Sequence, residues 1–352
     1  MNRRLAIVIR TVAIAAIVAA LWWFAREMNV AALGDALRTA KVWPLVVAAI
    51  LNFVCLLGKA VSWRLLLAPR YKVSVLRLFR YTIAAFAASA IAPARAGEVL
   101  RVWALKRRDG VPAADTTAVA VAEKLLDGIS MLIIVAPVPW LLPGLPRWVA
   151  GAIAIAAAIA IALFIVLFIA VGRVNAIGRA NETKLRALIR RFIAGMQVLR
   201  SPKQVLGAVL VLLLVWAADL GEVMAVLYAV NIDLGPAAGL LILFTLNLTI
   251  MVPSTPAQAG ALEAGALIAL DLLHVGHEAA LVFALLYHAL QVIPLIAAGL
   301  LLELRLVLGR DRDPAAPAAP AGAPATGDVL GAPRSPPPSG AKPPASATHT
   351  PS

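Results

Sequence analysis

Long apolar stretches recur along this chain, and they restrict its fold more than any other feature of the sequence. A transmembrane helix needs about 20 mostly apolar residues, and about six stretches reach that length. They are residues 5–24, 42–62, 117–141, 148–171, 205–230 and 279–302. Only 14% of the residues are charged and 62% are hydrophobic, whereas soluble domains contain about 25% charged residues. The composition therefore excludes an ordinary water-soluble fold.

Two shorter apolar segments, 76–92 and 236–252, each run into a turn that contains proline and glycine. Basic residues cluster on both sides of the first segment, and such residues favour the cytoplasmic side. A re-entrant hairpin that turns at 92–97 keeps both clusters in the cytoplasm, whereas a full span would separate them. The first cluster comprises Lys59, Arg64, Arg70, Lys72, Arg77 and Arg80, and the second comprises Arg95, Arg101, Lys106, Arg107 and Arg108.

The same topology predicts a second hairpin, formed by 236–252 and 261–273, which enters from the outer face and turns at 253–260. Each half of the chain then contains a span, a hairpin and a span, and the two halves have opposite orientations. The sequence therefore predicts an all-α polytopic membrane protein. It has about six full spans and two oppositely oriented re-entrant hairpins, arranged as an inverted repeat.

The chain is predicted to consist of a membrane domain and a disordered tail. A helix at 181–200 is basic and amphipathic, and it lies either in the inner membrane interface or, as a plain linker helix, in water. Its apolar face comprises Leu185, Leu188, Ile189, Phe192, Met196 and Leu199. The tail is rich in proline and alanine and cannot bury a core. The predicted bounds are 1–309 for the membrane domain, with halves 1–172 and 204–309 joined by a cytoplasmic linker at 173–203, and 310–352 for the cytoplasmic tail.

Charged residues inside membrane segments are costly, so each is a candidate for a functional site. At the first hairpin tip, Gly97 permits a sharp turn at a helix N-terminus whose N–H groups attract an anion. Arg95 can bind a phosphate through two hydrogen bonds, and Glu98 can hold Arg101 or pair with a cationic headgroup. The alternative is an interfacial break where these charges contact only water and lipid phosphate.

Two pairs of acidic residues within the spans extend the candidate binding site. Glu123 and Asp127 are four residues apart and share a helix face, where they either receive an arginine from the hairpin or form a structural ion-pair network. Asp219 and Glu222, three residues apart, are costly unless they line the same cavity. We predict that all four acidic side chains contribute to substrate binding.

The second hairpin tip supplies the other half of the predicted binding site. Its candidate residues are Asn247, Pro256, Gln258, Gly260 and Glu263. Broken helices of this kind occur in transporters, where irregular backbone is tolerated against a protein-lined or water-filled cavity. The alternative is an ordinary outer loop. His288 and Gln291 in the last span are predicted to form hydrogen bonds across helices.

No catalytic or cofactor-binding motif accompanies these residues. The sequence has no GxxxxGK[ST], HExxH or GxSxG pattern, so we expect no catalytic residue and no cofactor. His274, His277 and Glu278 fall in a short outer loop, and we predict no metal site there. The net charge of +14 arises from basic residues between apolar stretches, which indicates membrane topology rather than nucleic-acid binding.

These motifs together resemble those of a known membrane-protein family, the lysylphosphatidylglycerol synthase transmembrane-region family, also called the UPF0104 or flippase-like domain family. The resemblance covers about residues 5–308. It rests on the stretch from Pro93 to Arg101, on Glu123-Lys-Leu-Leu-Asp127, and on Asn247 with the stretch from Pro253 to Glu263. The chain departs from the family pattern at Lys124, at Ala257-Gln258 and at His288.

The resemblance implies a lipid translocator. In family members fused to an aminoacyl-transfer domain, the membrane part is regarded as the flippase for an aminoacylated phosphatidylglycerol. This chain resembles a stand-alone member without the synthase. We therefore expect a protein that is not an enzyme and that moves an anionic or aminoacylated phospholipid, or a related lipid, between the leaflets of a bacterial-type inner membrane. Both termini are expected in the cytoplasm.

Two other functions fit the sequence. The chain could be a non-catalytic membrane partner of a separately encoded lipid synthase, with its basic linker as the docking surface. It could also be an integral-membrane transferase that acts on a lipid-linked substrate, although the acidic residues are spread over several segments. Membrane lipids with anionic headgroups are the expected partners in each case, and the sequence leaves formation of a homo-oligomer open.

Overall fold

A computed structural model describes residues 38, 40–68, 70–91, 96–173, 184–251 and 256–307 of the chain. Within these ranges every regular element is a helix and none is a strand. The all-α prediction is therefore confirmed for the described part. The predicted first span, the tip residue Arg95 and the predicted tail lie outside the described residues.

Eleven α-helices and two short 3₁₀ turns make up the described structure. The turns are Met196–Arg200 and Pro256–Gln258. The helices are α1 Val42–Leu67, α2 Val75–Ile91, α3 Ala96–Asp109, α4 Ala113–Val135, α5 Val138–Leu141, α6 Arg147–Arg173, α7 Lys184–Gly195, α8 Pro202–Ala229, α9 Pro236–Ile250, α10 Ala261–Leu272 and α11 His277–Val307.

Among the described residues, 4 helices are long and apolar enough to cross a membrane: α1, α6, α8 and the part of α11 from His277 to Gly299. Helix α4 has 23 residues but also contains acidic and basic side chains, which lower its hydropathy. The predicted continuous span at 117–141 is wrong in its bounds. Helix α4 ends at Val135 and α5 follows Pro137, because proline lacks the N–H that would continue the helix.

The two predicted hairpins are formed by α2 with α3 and by α9 with α10, and the two helices of each pair pack together. These helices contain 12 to 17 residues, so the longest measures about 26 Å, less than the hydrocarbon core of about 30 Å. A Cβ at Gly97 would lie 1.7 Å from the carbonyl oxygen of Ala85 on α2. A Cβ at Gly265 would lie 2.4 Å from Thr249 Oγ1 on α9. Glycine thus permits close packing in both hairpins.

The packing of the helices repeats in the two halves of the chain. Helices α1 to α4 correspond, in order, to α8 to α11. Within the halves, α3 packs on α4 and its equivalent α10 packs on α11. Between the halves, α2 packs on α11 and its equivalent α9 packs on α4. The equivalent helices α1 and α8 are antiparallel, since the Lys41 N–H donates to the Ala229 carbonyl at 2.9 Å and Gly58 lies against Val215. Antiparallel equivalent helices are what an inverted repeat requires.

The linker helix α7 packs on the bundle rather than standing apart from it. Its neighbour α4 approaches so closely that a Cβ at Gly195 would lie 2.6 Å from Ala118 Cβ. Met196 and Leu199, which end the predicted apolar face, are buried in the core that surrounds Ala118, whereas Ile189 is 48% exposed. The interpretation that this face contacts lipid is therefore wrong for Met196 and Leu199, because protein covers them.

Candidate functional site

A cavity of about 540 Å³ lies between the two repeats. All eight helices of the repeats line it, and its size is within the range of small-molecule binding sites. The wall combines apolar side chains with charges of both signs. The charged residues on the wall are Lys59, Glu98, Arg101, Glu123, Lys124, Asp127 and Asp219. Two predicted clusters from distant parts of the sequence thus meet at one cavity.

An ion pair connects α1 and α4 at this wall. Lys59 Nζ lies 2.9 Å from Asp127 Oδ2, and both side chains are mostly buried. Trp216 Nε1 on α8 donates to the Asp127 carbonyl oxygen at 3.1 Å. Asp127 was predicted either to receive an arginine or to belong to a structural ion-pair network, and its pair with Lys59 fits the second alternative. Lys59 was predicted to belong to the cytoplasmic basic cluster. It lies instead on the cavity wall, because α1 packs against α8.

Arg101 is a buried cation on the cavity wall. The residue is 8% exposed, and its guanidinium lies 4.5 Å from the centre of the Trp63 ring. Glu98 and Glu123 act on it electrostatically. Its Nε is buried and forms no hydrogen bond within the described part of the chain. Since both faces of a guanidinium can stack while its edge donates, Arg101 can bind an anion in the cavity.

The first tip differs from the prediction at Gly97. Its N–H donates to Ser89 Oγ on α2 at 3.1 Å, so this N–H is not available to an anion. Gly97 nevertheless contacts the cavity, and its missing Cβ allows α3 to approach α2. Glu98 is exposed beside the cavity, while Glu123 is 2% exposed. The described part of the first tip therefore presents the Glu98 side chain to the cavity, while the Gly97 N–H is bound to Ser89.

At the second tip, Glu263 holds the backbone instead of lining the cavity. Its Oε2 accepts a hydrogen bond from the Gly260 N–H at 2.8 Å, and its Oε1 contacts His288 Nδ1. His288 Nε2 contacts the Ala257 carbonyl oxygen at 2.9 Å. Ala257 and Gln258 have positive φ angles of 56° and 63°, which are strained for residues other than glycine. The Glu263–His288 contacts stabilise this turn.

The other predicted residues of the second half fall in different places. Asn247 and Gln258 line the cavity, and Asn247 Nδ2 donates to the Leu243 carbonyl oxygen at 2.9 Å. Gly260 and Glu263 do not line it. Pro256 begins the 3₁₀ turn of the tip, and its side chain is not among those that the structure describes. Asn247 and Gln258 are therefore placed to contact a ligand in the cavity, whereas Gly260 and Glu263 are not.

A polar cluster lies beside the cavity between α1, α8 and α11. Glu222 is 0% exposed, and its Oε1 accepts hydrogen bonds from Asn52 Nδ2 at 3.4 Å and Gln291 Nε2 at 3.2 Å. Gln291 Nε2 also donates to the Tyr287 hydroxyl at 3.1 Å. Asp219, Asn52 and Gln291 line the cavity, whereas Glu222 is behind them. The predicted cross-helix hydrogen bonds of Gln291 and His288 are confirmed.

Several cavity residues were absent from the predicted site. Lys59, Asn52, Trp63, Ser89 and Tyr287 all line the wall. A sequence signal exists for three of them, since positions 52, 59 and 63 recur at intervals of seven and four residues and so share one face of α1. No comparable signal marks Ser89, whose hydroxyl matters because of its contact with the first tip.

Comparison with known proteins identifies a family. The family model described as the lysylphosphatidylglycerol synthase TM region matches residues 8–299. No match was found among curated proteins or among solved structures. The matched range includes both hairpins, the cavity and the four apolar helices. Since the family model covers most of the chain, this multi-pass membrane protein belongs to the lysylphosphatidylglycerol synthase transmembrane-region family.

Proposed function

We propose that the protein is a lipid translocator that moves a phosphate-bearing lipid between the leaflets of a bacterial-type inner membrane, with both termini in the cytoplasm. The observation that supports this most strongly is Arg101. It is a buried arginine, incompletely bonded, on the wall of a cavity between two antiparallel repeats. A charge kept inside a membrane bundle is expensive unless it has a function. A lipid phosphate would accept a hydrogen bond from Arg101 Nε, which has no such partner within the described residues.

The cavity suits a lipid headgroup. Arg101 can bind the phosphate through charge-assisted hydrogen bonds while its guanidinium stays stacked on Trp63. Glu98 and Glu123 lie beside it and can accept hydrogen bonds from a hydroxyl or a cationic group elsewhere on the headgroup. A volume of about 540 Å³ accommodates a headgroup, whereas the acyl chains remain among the membrane lipids. Anionic and aminoacylated phospholipids both meet this description.

A translocator function also explains the inverted repeat. An inverted repeat offers two equivalent arrangements of the same helices around one site, one open to each side of the membrane. The antiparallel pair α1 and α8 lies at the centre of this arrangement. The two hairpin tips, with Glu98 and Gln258, both reach the cavity. Small movements of the hairpins relative to this pair can therefore change the access to the headgroup.

The test is lipid movement in liposomes. We would reconstitute the wild type, Arg101→Ala and Arg107→Ala with fluorescent phosphatidylglycerol and follow quenching of the label by external dithionite. Arg107 is exposed on the same helix and serves as the matched control. We expect the wild type and the Arg107 variant to expose the inner-leaflet label, and Arg101→Ala to lose most of this activity. Protection equal to that in empty liposomes would exclude transport of this lipid.

A further inference from the structure

One carboxyl group beside the cavity forms no ion pair with any of the residues that the structure describes. Glu222 is fully buried, and the donors to its Oε1, from Asn52 and Gln291, are neutral amides. Its Oε2 is buried and has no hydrogen-bond partner within the described residues. In the same part of the chain, no lysine, arginine or histidine forms an ion pair with Glu222. Glu222 therefore differs from Asp127 and Glu263, which each contact a basic side chain.

Such a carboxyl group is suited to bind a proton. A negative charge buried without a counter-ion is strongly unfavourable, and a proton removes that charge without any change in side-chain volume. Two amide donors on one oxygen still stabilise the carbonyl oxygen of the neutral acid. Carboxyl groups kept within membrane bundles commonly act as proton carriers for this reason.

We propose that Glu222 binds and releases one proton in each transport cycle and so couples lipid movement to a proton gradient. This inference rests on the proposed translocator function and adds its energy source. The Glu222 carboxylate takes a proton from a hydronium ion on one side of the membrane: one O–H bond of the hydronium ion breaks, which leaves water, and a carboxyl O–H bond forms. When the cavity opens to the other side, this bond breaks and the proton returns to water. No other bond changes.

The surroundings provide a short route for the proton. Asn52, Asp219 and Gln291 line the cavity, and the Asn52 and Gln291 amides also contact Glu222 directly. Asp219 is three residues before Glu222 on α8, so both lie on one helix face. Asn52 Nδ2 also donates to Gln291 Oε1 at 2.7 Å. A shift of α1 or α11 would break these amide contacts and expose Glu222 to cavity water.

Within the described residues neither Asp219 nor Glu222 forms an ion pair, but of the two only Glu222 has a buried carboxylate oxygen without a hydrogen-bond partner. Lys59 is paired with Asp127, and His288 contacts Glu263. Helix α9, which packs on α8, carries no titratable residue. The remaining titratable neighbours affect the proton affinity of Glu222 but do not neutralise its charge. The titratable and charged groups on the packed helices are Cys55 and Lys59 on α1, Glu123, Lys124 and Asp127 on α4, Asp219 on α8, and Tyr287 and His288 on α11.

The transport experiment compares the wild type with Glu222→Gln, which resembles the protonated acid in shape. Liposomes contain fluorescent phosphatidylglycerol and a pH-sensitive dye in the lumen. A gradient of about one pH unit changes the occupancy of a proton site by up to about tenfold. We expect the gradient to accelerate lipid movement several-fold in the wild type, with a change in lumenal pH. Glu222→Gln should move lipid at one rate, with or without the gradient.

Exposed Glu278 provides the control, since Glu278→Gln removes a carboxyl group outside the cavity and should behave as the wild type. Lipid movement by the wild type that ignores the pH gradient, or that responds to a sodium gradient instead, would overturn proton coupling and leave the translocator intact. Absence of any lipid movement by the wild type would instead contradict the proposed function.

A second measurement tests proton binding without transport. Infrared difference spectra of the reconstituted protein between acidic and alkaline buffer should contain a band from a protonated carboxyl group. This band should be missing in Glu222→Gln and present in Glu278→Gln. If the spectra of the wild type and Glu222→Gln are the same, Glu222 does not exchange a proton, whatever the lipid assay shows.

Discussion

Lys59 on α1 and Asp127 on α4 are joined across the cavity wall by an ion pair of 2.9 Å. The pair ties the first span of the described structure to the helix that follows the first hairpin. Trp216 on α8 reinforces it, because its Nε1 donates to the backbone of Asp127 and its ring lies 5.9 Å from Lys59 Nζ. Three helices are thereby fixed at one point, next to Arg101 and Asp219 on the same wall.

Removal of one partner of this pair should destabilise the protein strongly. Lys59→Met leaves the Asp127 charge buried, at a cost of about 3–5 kcal/mol. The double variant Lys59→Met/Asp127→Leu should recover much of this loss, since no charge is then left unpaired. Thermal unfolding in detergent measures the stability of the single and the double variant. Equal losses of stability in the single and double variants would show that the pair itself contributes little.

The glycine at the first hairpin tip is predicted to be essential for packing. In Gly97→Ala the new methyl group would overlap the Ala85 carbonyl oxygen at 1.7 Å, and α2 and α3 would have to separate. We expect a sharp fall in the yield of folded protein, measured by size-exclusion chromatography. Gly151→Ala on α6 is the control, because a Cβ there meets nothing within 4 Å and should stabilise the helix by about 0.5–1 kcal/mol. Normal folding of Gly97→Ala would contradict the observed hairpin geometry.

The strained second tip should depend on His288. In His288→Phe, Glu263 loses its partner on α11 and the Ala257 carbonyl oxygen loses a hydrogen bond. A buried hydrogen bond left unmade costs about 1–3 kcal/mol, so amide hydrogen exchange at 257–264 should become roughly tenfold faster or more. Exchange in α8 should not change. Unaltered exchange at the tip would mean that the backbone turn is stable by itself.

Trp63 is predicted to strengthen headgroup binding through Arg101. Stacking of a guanidinium on an indole ring is worth about 0.5–2 kcal/mol, so Trp63→Leu should weaken the binding of phosphatidylglycerol by roughly 2- to 30-fold. Trp63→Phe, which keeps an aromatic face, should lose less. Titration of the purified protein with lipid, followed by native mass spectrometry, gives the affinities. The same affinity in both variants would exclude a role for the ring.

The loop between α1 and α2 should make stability sensitive to alkaline pH. Burial, and then the hydrogen bond from the Tyr71 hydroxyl to Asp115, raise the pKa of Tyr71. A phenol with a raised pKa in the folded state keeps its proton there but loses it on unfolding above pH about 10. Stability should therefore fall above this pH in the wild type, and less steeply in Tyr71→Phe. Parallel melting-temperature curves of the two proteins would contradict this assignment.

The membrane segments could be predicted because their signal is local. A run of apolar residues long enough to cross the bilayer is visible within one window of sequence, as for α6 and α8. The short α2 and α9 were also distinguished by length and by the turns that follow them. The predicted span at 117–141 was too long, because Pro137 ends α4 at Val135 within an apolar run. A hydropathy scale does not detect that proline lacks a backbone N–H.

The partner of each buried charge could not be predicted, because it depends on helices far apart in sequence. Asp127 is 68 residues from Lys59, and Glu222 is 170 residues from Asn52. The positive-inside rule predicted a cytoplasmic position for Lys59, because the rule treats every lysine near the end of a span alike. The helix face on which Lys59 lies is decided by the packing of α1 on α8.

The sequence by itself determined that this is an all-α membrane protein with two broken-helix hairpins, and it placed most of the cavity charges on the correct segments. Hydrophobic length and the cost of burying charge act on each segment separately, which is why these properties can be read along the chain. Only the tertiary structure decided that Lys59 pairs with Asp127, that the Gly97 N–H donates to Ser89, and that Glu222 forms no ion pair within the described residues. These outcomes depend on contacts between helices, such as those of 2.9 Å and 3.1 Å at Asp127 and Gly97, which no single segment contains.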